Sequence, residues 1–539
     1  MGMGGRARGG GAVAGLAVLL LSGAAPAGTL APTLAPRFEP VAVPAHAYDG
    51  GWEHFVGGGV AVLDCDGDGL PDLVAAGGEG PTRLLRNRGA MRFEAATPPA
   101  LALGGVAGAY PLDLDGDGWL DLALLRVGEN ALLRGGPDCA FAPFAAGPFA
   151  DPRLSGGDRW TTAFSAAWEA GERLPTLAFG NYVDRADPEG PFEACDETLV
   201  FRPEGDGYGE PLALPGHCAL SMLFTDWGRR GRMDLRVSND RHYYVQGGQE
   251  QLWAMEAVPR LYGEAEGWRS YALWGMGIAS RDLDGDGRPE VYLTSMGDQR
   301  LQSLEPGAAG PSYADAPFAR GATAHRPHTG GDGRPSTGWH PAFGDVDNDG
   351  RDDLFVSKGN VEQMPGLAMD DPDSLLMQQG GGTFREAAAE AGVASLARGR
   401  GAALADLDLD GRLDLVVVQR RAPLLVYRNV TDGAGRWLAV EPRQPGPNAR
   451  AVGAWIEVEA GNGRWSREVT VGGGHAGGAA GPEHFGLGAA GEARVRVIWP
   501  DGAASGWAVV EPGRLVTLSR GEGGALGVEA WPAPAVGGG

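Results

Sequence analysis

Cysteine is scarce in this 539-residue chain: there are four, with no Cys-x-x-Cys pair to suggest a dithiol redox motif or a zinc site. Histidine is sparse too, at nine residues. His-Glu-x-x-His, Gly-x-Ser-x-Gly and Gly-x-x-x-x-Gly-Lys are all missing, and with them the usual spellings of a zinc protease, a serine hydrolase and a phosphate loop. Lacking a catalytic constellation, the chain is expected not to be an enzyme. Basic residues are outnumbered 45 to 69 by acidic ones, and no basic stripe interrupts the net charge of -24, which argues against nucleic acid as a partner. Apolar runs long enough for a targeting segment occur only at the N-terminus. There Arg6 and Arg8 precede an apolar core through Leu16–Leu21 and a small-residue Ala25-Pro-Ala27 site, the three-part layout of a signal peptide over 1–27. No adjacent arginine pair suggests twin-arginine export, no cysteine at the cleavage point suggests a lipid anchor, and no second run could span a membrane. The mature protein is therefore expected to be secreted, periplasmic or extracellular, where calcium is plentiful and disulfides persist.

What the chain has in quantity is acid, and much of it is placed. Five clusters share one spelling: Asp64, Asp66, Asp68, Asp72; Asp113, Asp115, Asp117, Asp121; Asp282, Asp284, Asp286, Glu290; Asp345, Asp347, Asp349, Asp353; and Asp406, Asp408, Asp410, Asp414. Each puts carboxylates at relative positions 1, 3, 5 and 9, with glycine at position 6 (Gly69, Gly118, Gly287, Gly350, Gly411). Calcium takes roughly six to eight oxygens at about 2.3–2.6 Å. A tight turn can supply them from positions 1, 3 and 5, the position-7 carbonyl and a closing acid at position 9, while the glycine permits the left-handed backbone that reverses the chain. An EF-hand would close instead with Glu at position 12 and run between helices. Position 12 here is Ala75, Leu124, Leu293, Val356 or Val417, within β-type runs. Turn formation explains Asp and Gly but not the acid at position 9. The clusters are read as hairpin loops for about five calcium ions.

Their spacing predicts a repeat architecture. Asp64 and Asp113 are 49 residues apart, Asp282 and Asp345 are 63, and Asp345 and Asp406 are 61. The 169 residues between Asp113 and Asp282 leave room for two hidden repeats. One is Asp226–Asp234, which keeps positions 1 and 9 but has Gly228 and Arg230 at 3 and 5, so that an arginine could replace the ion's charge. The other is Ala167–Leu177, which ends in a Leu-Pro-x-Leu like Leu70–Leu73 but has lost most of its acids. Seven units result. Between loops an apolar strand and turn lead to Phe93, Phe141 and Phe384, but no such Phe follows Leu424–Asn429. Arg37-Phe-Glu39 matches Arg92-Phe-Glu94, so a strand from the N-terminal end is predicted to complete the seventh unit and close the ring.

These units resemble FG-GAP repeats of the integrin-α type, which form seven-bladed propellers with DxDxDGxxD calcium loops. The stretch after them is similar to the ASPIC/UnbV domain in Asn448–Ala454, Gly472–Gly474, His484–Gly488 and Ile498–Gly502. In that order the two parts resemble the cartilage-acidic-protein family of secreted proteins, including its bacterial members. The departures are the two acid-poor repeats and Glu290 in place of Asp. The expected fold is all-β: a seven-bladed calcium-binding β-propeller over 36–430, a small β-rich domain over 437–520, and a disordered tail over 521–539.

Four cysteines in an exported chain allow three pairings. Cys195–Cys218 makes a local staple, and Cys65–Cys139 a possible bridge between neighbouring blades. His325 and His328, near His340, are read as a solvated loop in preference to a transition-metal site, and His484 as a turn residue in preference to a catalytic one. Asn429-Val-Thr431 spells a glycosylation acceptor. Trp160, Trp168, Trp227, Trp253, Trp268 and Trp274 gather around the acid-poor units, where they would either fill blade cores or form an exposed platform for a partner. The function expected is binding or adhesion to an extracellular protein or glycan, with calcium structural. The alternatives are a polysaccharide-acting enzyme and a small-molecule carrier on the same scaffold.

Overall fold

Each acidic cluster joins two apolar runs, and each such pair folds into an antiparallel hairpin in the computed structural model, which describes residues 2, 34–187, 194–240 and 248–531. The expected signal segment, 1–27, lies outside these residues apart from Gly2. Pairing each hairpin with the strands that follow gives seven four-stranded antiparallel units. Their first strands are Val60–Leu63, Val106–Leu112, Arg159–Ala167, Ala219–Thr225, Gly275–Arg281, Gly338–Gly344 and Arg398–Ala405. These strands touch in cyclic order, the seventh against the first, which is the ring arrangement of a β-propeller. Second strands such as Asp414–Arg420 are buried along their whole length. Both faces of each sheet are covered, so the runs are continuously apolar instead of alternating.

Phe38–Pro40 pairs antiparallel with Leu425–Asn429, Phe38 facing Asn429. The N-terminal strand thus supplies the seventh unit's outer edge. Two disulfides tie neighbouring units: Cys65–Cys139 joins the first and second, and Cys195–Cys218 the third and fourth. Among the described residues no helix is long and apolar enough to cross a membrane.

The C-terminal part is built from two further four-stranded sheets. Arg436–Arg443 lies between Glu483–Gly488 and Arg514–Arg520, and Trp455–Ala460 lies between Gly463–Glu468 and Ala493–Ile498. Leu438, Ile456, Phe485, Val497, Trp499 and Val516 share its core. Within the segment 521–539, expected to be disordered, residues 521–531 are structured, Leu526–Ala530 pairing antiparallel with Arg514–Arg520 and Trp531 Nε1 donating to Thr517 Oγ1 at 2.8 Å, while 532–539 lie outside the described residues. An unfilled sheet edge and an indole with an acceptor in reach order what composition alone suggested was a tail.

Between those sheets the chain leaves the C-terminal part and enters the ring. Val471 O accepts from Ser165 Oγ at 2.5 Å, Gly473 N donates to Met222 O at 2.6 Å, and Gly474 N donates to Ile278 O at 2.7 Å. Ala109 N then donates to Ala476 O at 3.0 Å, and Gly478–Ala480 runs parallel to Ala61–Leu63. One glycine-rich segment thereby touches the first strands of units 1 to 5. The fit depends on small residues, since a Cβ on Gly59 would lie 1.7 Å from Ala476 O. His475, fully buried, accepts from Gly57 N at 3.2 Å through Nε2 and reaches Met276 O from Nδ1 at 3.1 Å, while its own N–H donates to His340 Nδ1 at 2.9 Å. Burial pushes His475 down to about 3 and His340 down to about 4, so both are neutral.

Candidate metal centre

The acidic loops begin where the first strand of a unit ends. Leu63 faces Asp72, Leu112 faces Asp121 and Gly344 faces Asp353 across the hairpin, so the position-9 acid opens the second strand and points back at the turn. One hydrogen-bond pattern holds all of these loops. The position-1 carboxylate accepts the N–H of the position-6 glycine, at 2.9 Å for Asp64, 2.7 Å for Asp345 and 2.8 Å for Asp406. The position-9 carboxylate accepts the N–H of position 2 with one oxygen (Cys65 to Asp72, 3.0 Å; Val346 to Asp353, 3.0 Å). In the first, second, sixth and seventh units its other oxygen accepts an N–H from the third strand (Asn87, Gly135, Gln378, Asn429).

These backbone donors aim the side chains inward. In at least four loops the ligand oxygens of positions 1, 3 and 9 lie within 4.8 Å of one another: Asp64/Asp66/Asp72, Asp113/Asp115/Asp121, Asp282/Asp284/Glu290 and Asp345/Asp347/Asp353. Two oxygens on one calcium ion can be at most about 5 Å apart. Glu290 joins its group despite its extra methylene. In the fifth acidic loop, Asp406 and Asp414 keep the same backbone bonds, and Asp408 Oδ1 is buried with no hydrogen-bond partner. The position-5 acids are held differently. Asp68, Asp117, Asp286, Asp349 and Asp410 each accept the N–H of position 7 at 2.8–3.0 Å, closing the turn on themselves.

Crowding several carboxylates away from water raises their affinity for protons. Burial, then the neighbouring negative charges, pushes Asp353 and Asp414 well above the usual range, and Asp406 up to about 8. Burial likewise pushes Asp72, Asp121 and Glu290 up to about 7. A cation beside such groups favours their ionised form. Arginines supply part of the positive charge in every acidic loop: Arg86 pairs with Asp66, Arg134 with Asp115 at 2.7 Å and Arg428 with Asp408 at 2.7 Å at position 3, while Arg288 pairs with Asp286 at 2.8 Å and Arg351 with Asp349 at position 5.

The two acid-poor units show what replaces an ion. In Asp226–Asp234, Arg230 lies 2.6 Å from Asp234 Oδ2 and stacks 4.0 Å over Trp227. In the third unit Thr176 takes the position-9 place opposite Ala167, and Arg202 pairs with Glu169 at 2.8 Å.

The other sequence-derived candidates are placed elsewhere. Trp160, Trp168, Trp227, Trp253 and Trp268 are all buried and form no exposed platform, while Trp274 is half-buried and lines a cavity of about 470 Å³. His340 is buried against the central segment, whereas His325 is exposed and paired with Asp298 at 2.7 Å. His484 belongs to the strand Glu483–Gly488, not to a turn, and its Nε2 lies 3.0 Å from Gly411 O. Asn429 is fully buried and donates to Val346 O and Leu413 O, which bars it as a glycan acceptor. Sequence reasoning missed that the C-terminal sheets sit on the acidic loops. Arg467 pairs with Asp352, Arg229 with Glu457, and Trp465 Nε1 donates to Gly350 O.

Residues 64–124 match the FG-GAP-like repeat family and residues 444–525 match the ASPIC and UnbV family. No curated protein matches the chain. Solved structures similar to it include a lectin of Agrocybe aegerita that recognises non-reducing terminal N-acetylglucosamine, at 15% identity over 70% of this chain and 94% of that one, with a TM-score of 0.39. Another is YCF48 from Cyanidioschyzon merolae, at 10% identity over 73% and 98%, with a TM-score of 0.38. A third is the extracellular domain of a putative one-component system of B. thetaiotaomicron, at 7% identity over 87% and 58%, with a TM-score of 0.37. Scores this low carry no argument about what the chain does. By its matched segments and its strand order, the chain joins FG-GAP-like repeats in a propeller-like ring to an ASPIC/UnbV domain.

Proposed function

We propose that the protein is an exported, calcium-stabilised binding module whose metal is structural. The observation that carries this reading is the convergence of position-1, position-3 and position-9 carboxylates to within 4.8 Å in at least four loops, each preset by backbone N–H groups. The hard, all-oxygen donor set suits calcium over a transition metal. The buried, unpartnered Asp347 Oδ2 and Asp408 Oδ1 are oxygens that such an ion would take up. When bound, the ion would supply positive charge and cross-link the first two strands of its unit. The residues that would hold it are structural hairpin residues with no base or nucleophile among them, so the module binds without turnover. An extracellular protein or glycan is the partner class proposed, and adhesion the use. Two disulfides support an oxidising compartment. Metal analysis after exhaustive dialysis against calcium tests the reading: about five ions per chain are expected, and none after substituting the five position-9 acids. A chain that retains no calcium would end it.

A small-molecule carrier is the second reading. It is favoured by two adjoining cavities of about 470 and 410 Å³ that share Met296, Met364 and Pro365. Displacement of an apolar fluorophore, lost on Met296→Lys, would support it.

A further inference from the structure

We propose that the loop Asp345–Asp353 holds an occluded calcium ion, sealed beneath the C-terminal sheets and released only when they lift, while the ions of the other acidic loops exchange with solvent. This rests on the calcium reading above and adds to it a difference among the sites.

Three observations in combination set this loop apart. Asp345, Asp347 and Asp353 are each 1% exposed, whereas the position-3 side chain is 23% exposed at Asp115 and Asp284 is exposed. No arginine, lysine or histidine among the described residues lies within ion-pair distance of the three, unlike Asp66, Asp115 and Asp408 with Arg86, Arg134 and Arg428; Arg351 of the same loop pairs with Asp349 instead. Asp347 Oδ2 is buried with no hydrogen-bond partner, in a group whose oxygens already converge on one point. Three buried carboxylates without a cation are costly, and a divalent ion at that point offsets them.

The seal comes from separate stretches of the C-terminal part. Gly435 N donates to Asp347 O at 2.9 Å, and Gly488 N to Asn348 O at 2.8 Å. Trp465 Nε1 donates to Gly350 O at 2.9 Å. Arg467 donates to both oxygens of Asp352, at 2.8 and 3.1 Å, with both side chains 3% exposed. Gly486 lies directly on the site, since a Cβ there would come 1.8 Å from Asp345 Oδ2. The contacts grip the loop's backbone on the same turn that would hold the ion. Ion binding and docking of the C-terminal sheets are therefore linked reciprocally: the ion favours the docked state, and the docked state retains the ion.

Rapid mixing of the calcium-loaded full chain with an excess of a fluorescent chelator tests this. One ion should leave at least about tenfold more slowly than the rest. Trp465→Phe, which keeps the ring but removes the donor to Gly350 O, should speed that slow phase alone. Asp347→Asn should delete the slow phase and leave the fast phases intact. Release of all ions in one phase would overturn the occluded site while leaving the calcium reading standing, as would loss of a fast phase in Asp347→Asn. A chain that binds no calcium would overturn both.

Discussion

The loops Asp226–Asp234 and Asp345–Asp353 share a scaffold and differ at its centre. In both, the position-1 carboxylate accepts the position-6 glycine N–H at 2.7 Å. In both, the position-9 carboxylate accepts an N–H from the third strand, at 3.1 Å from Met255 and 2.9 Å from Gln378. What the first sets beside its position-9 acid is Arg230 on one oxygen and Arg232 on the other, and what the second encloses is three facing carboxylates. The turn is thus folded by its backbone bonds whether or not acid fills it. A positive charge at the centre is the remaining requirement, met covalently in one loop and from solution in the other.

That comparison breaks most visibly with pH. With calcium chelated, acids whose affinity for protons is raised in the folded state favour folding below their ordinary pKa, and the benefit is lost as pH rises through the raised value. Asp72 and Asp121 rise from 3.8 to about 7, so stability should fall between roughly pH 4 and pH 8 by about 4 kcal/mol for each such group. Urea unfolding at pH 4 and pH 8 in a chelator reads this fall, which calcium should abolish. The next largest effect is a reversal of sign. Asp353→Asn should stabilise the chelated protein by relieving its buried cluster, and should cost about 2.7 kcal/mol at calcium a hundredfold above Kd, where the lost site no longer contributes. Asp234→Asn should destabilise in both conditions, since its partner is an arginine. Arg230→Ala should cost about 2 kcal/mol in urea unfolding, with or without calcium, by stripping a charged hydrogen bond from buried Asp234. The smallest effect sharpens the comparison: Gly228→Asp with Arg230→Asp should convert the fourth loop, adding one bound ion by metal analysis and shifting Tm by about 1–2 °C.

How much of this was legible follows from where the information sits. The carboxylate groups were legible because positions 1, 3 and 9 are close in the chain and a hairpin fixes their geometry. The closing strand was legible from the match of Arg37-Phe-Glu39 to Arg92-Phe-Glu94. The segment Val471–Ala480 was not, because it contacts the ring through backbone groups of glycines, which leave no pattern of side chains to read. Small residues facing it, such as Gly59, were the available signal. The tryptophans left two readings open for the opposite reason: their abundance near Asp226–Asp234 was visible, but burial at Trp268 and Trp253 depends on neighbouring sheets that local sequence does not specify. The place of Arg230 was legible from charge alone, and its 2.6 Å contact with Asp234 is the geometry that charge replacement requires.

Thermal unfolding at low ionic strength, in saturating calcium and in EDTA, tests the central claim most directly. Several ions bound only by the folded state should each add RT ln(1 + [L]/Kd) and raise Tm markedly in calcium. Coincident melting curves in calcium and in EDTA would contradict it.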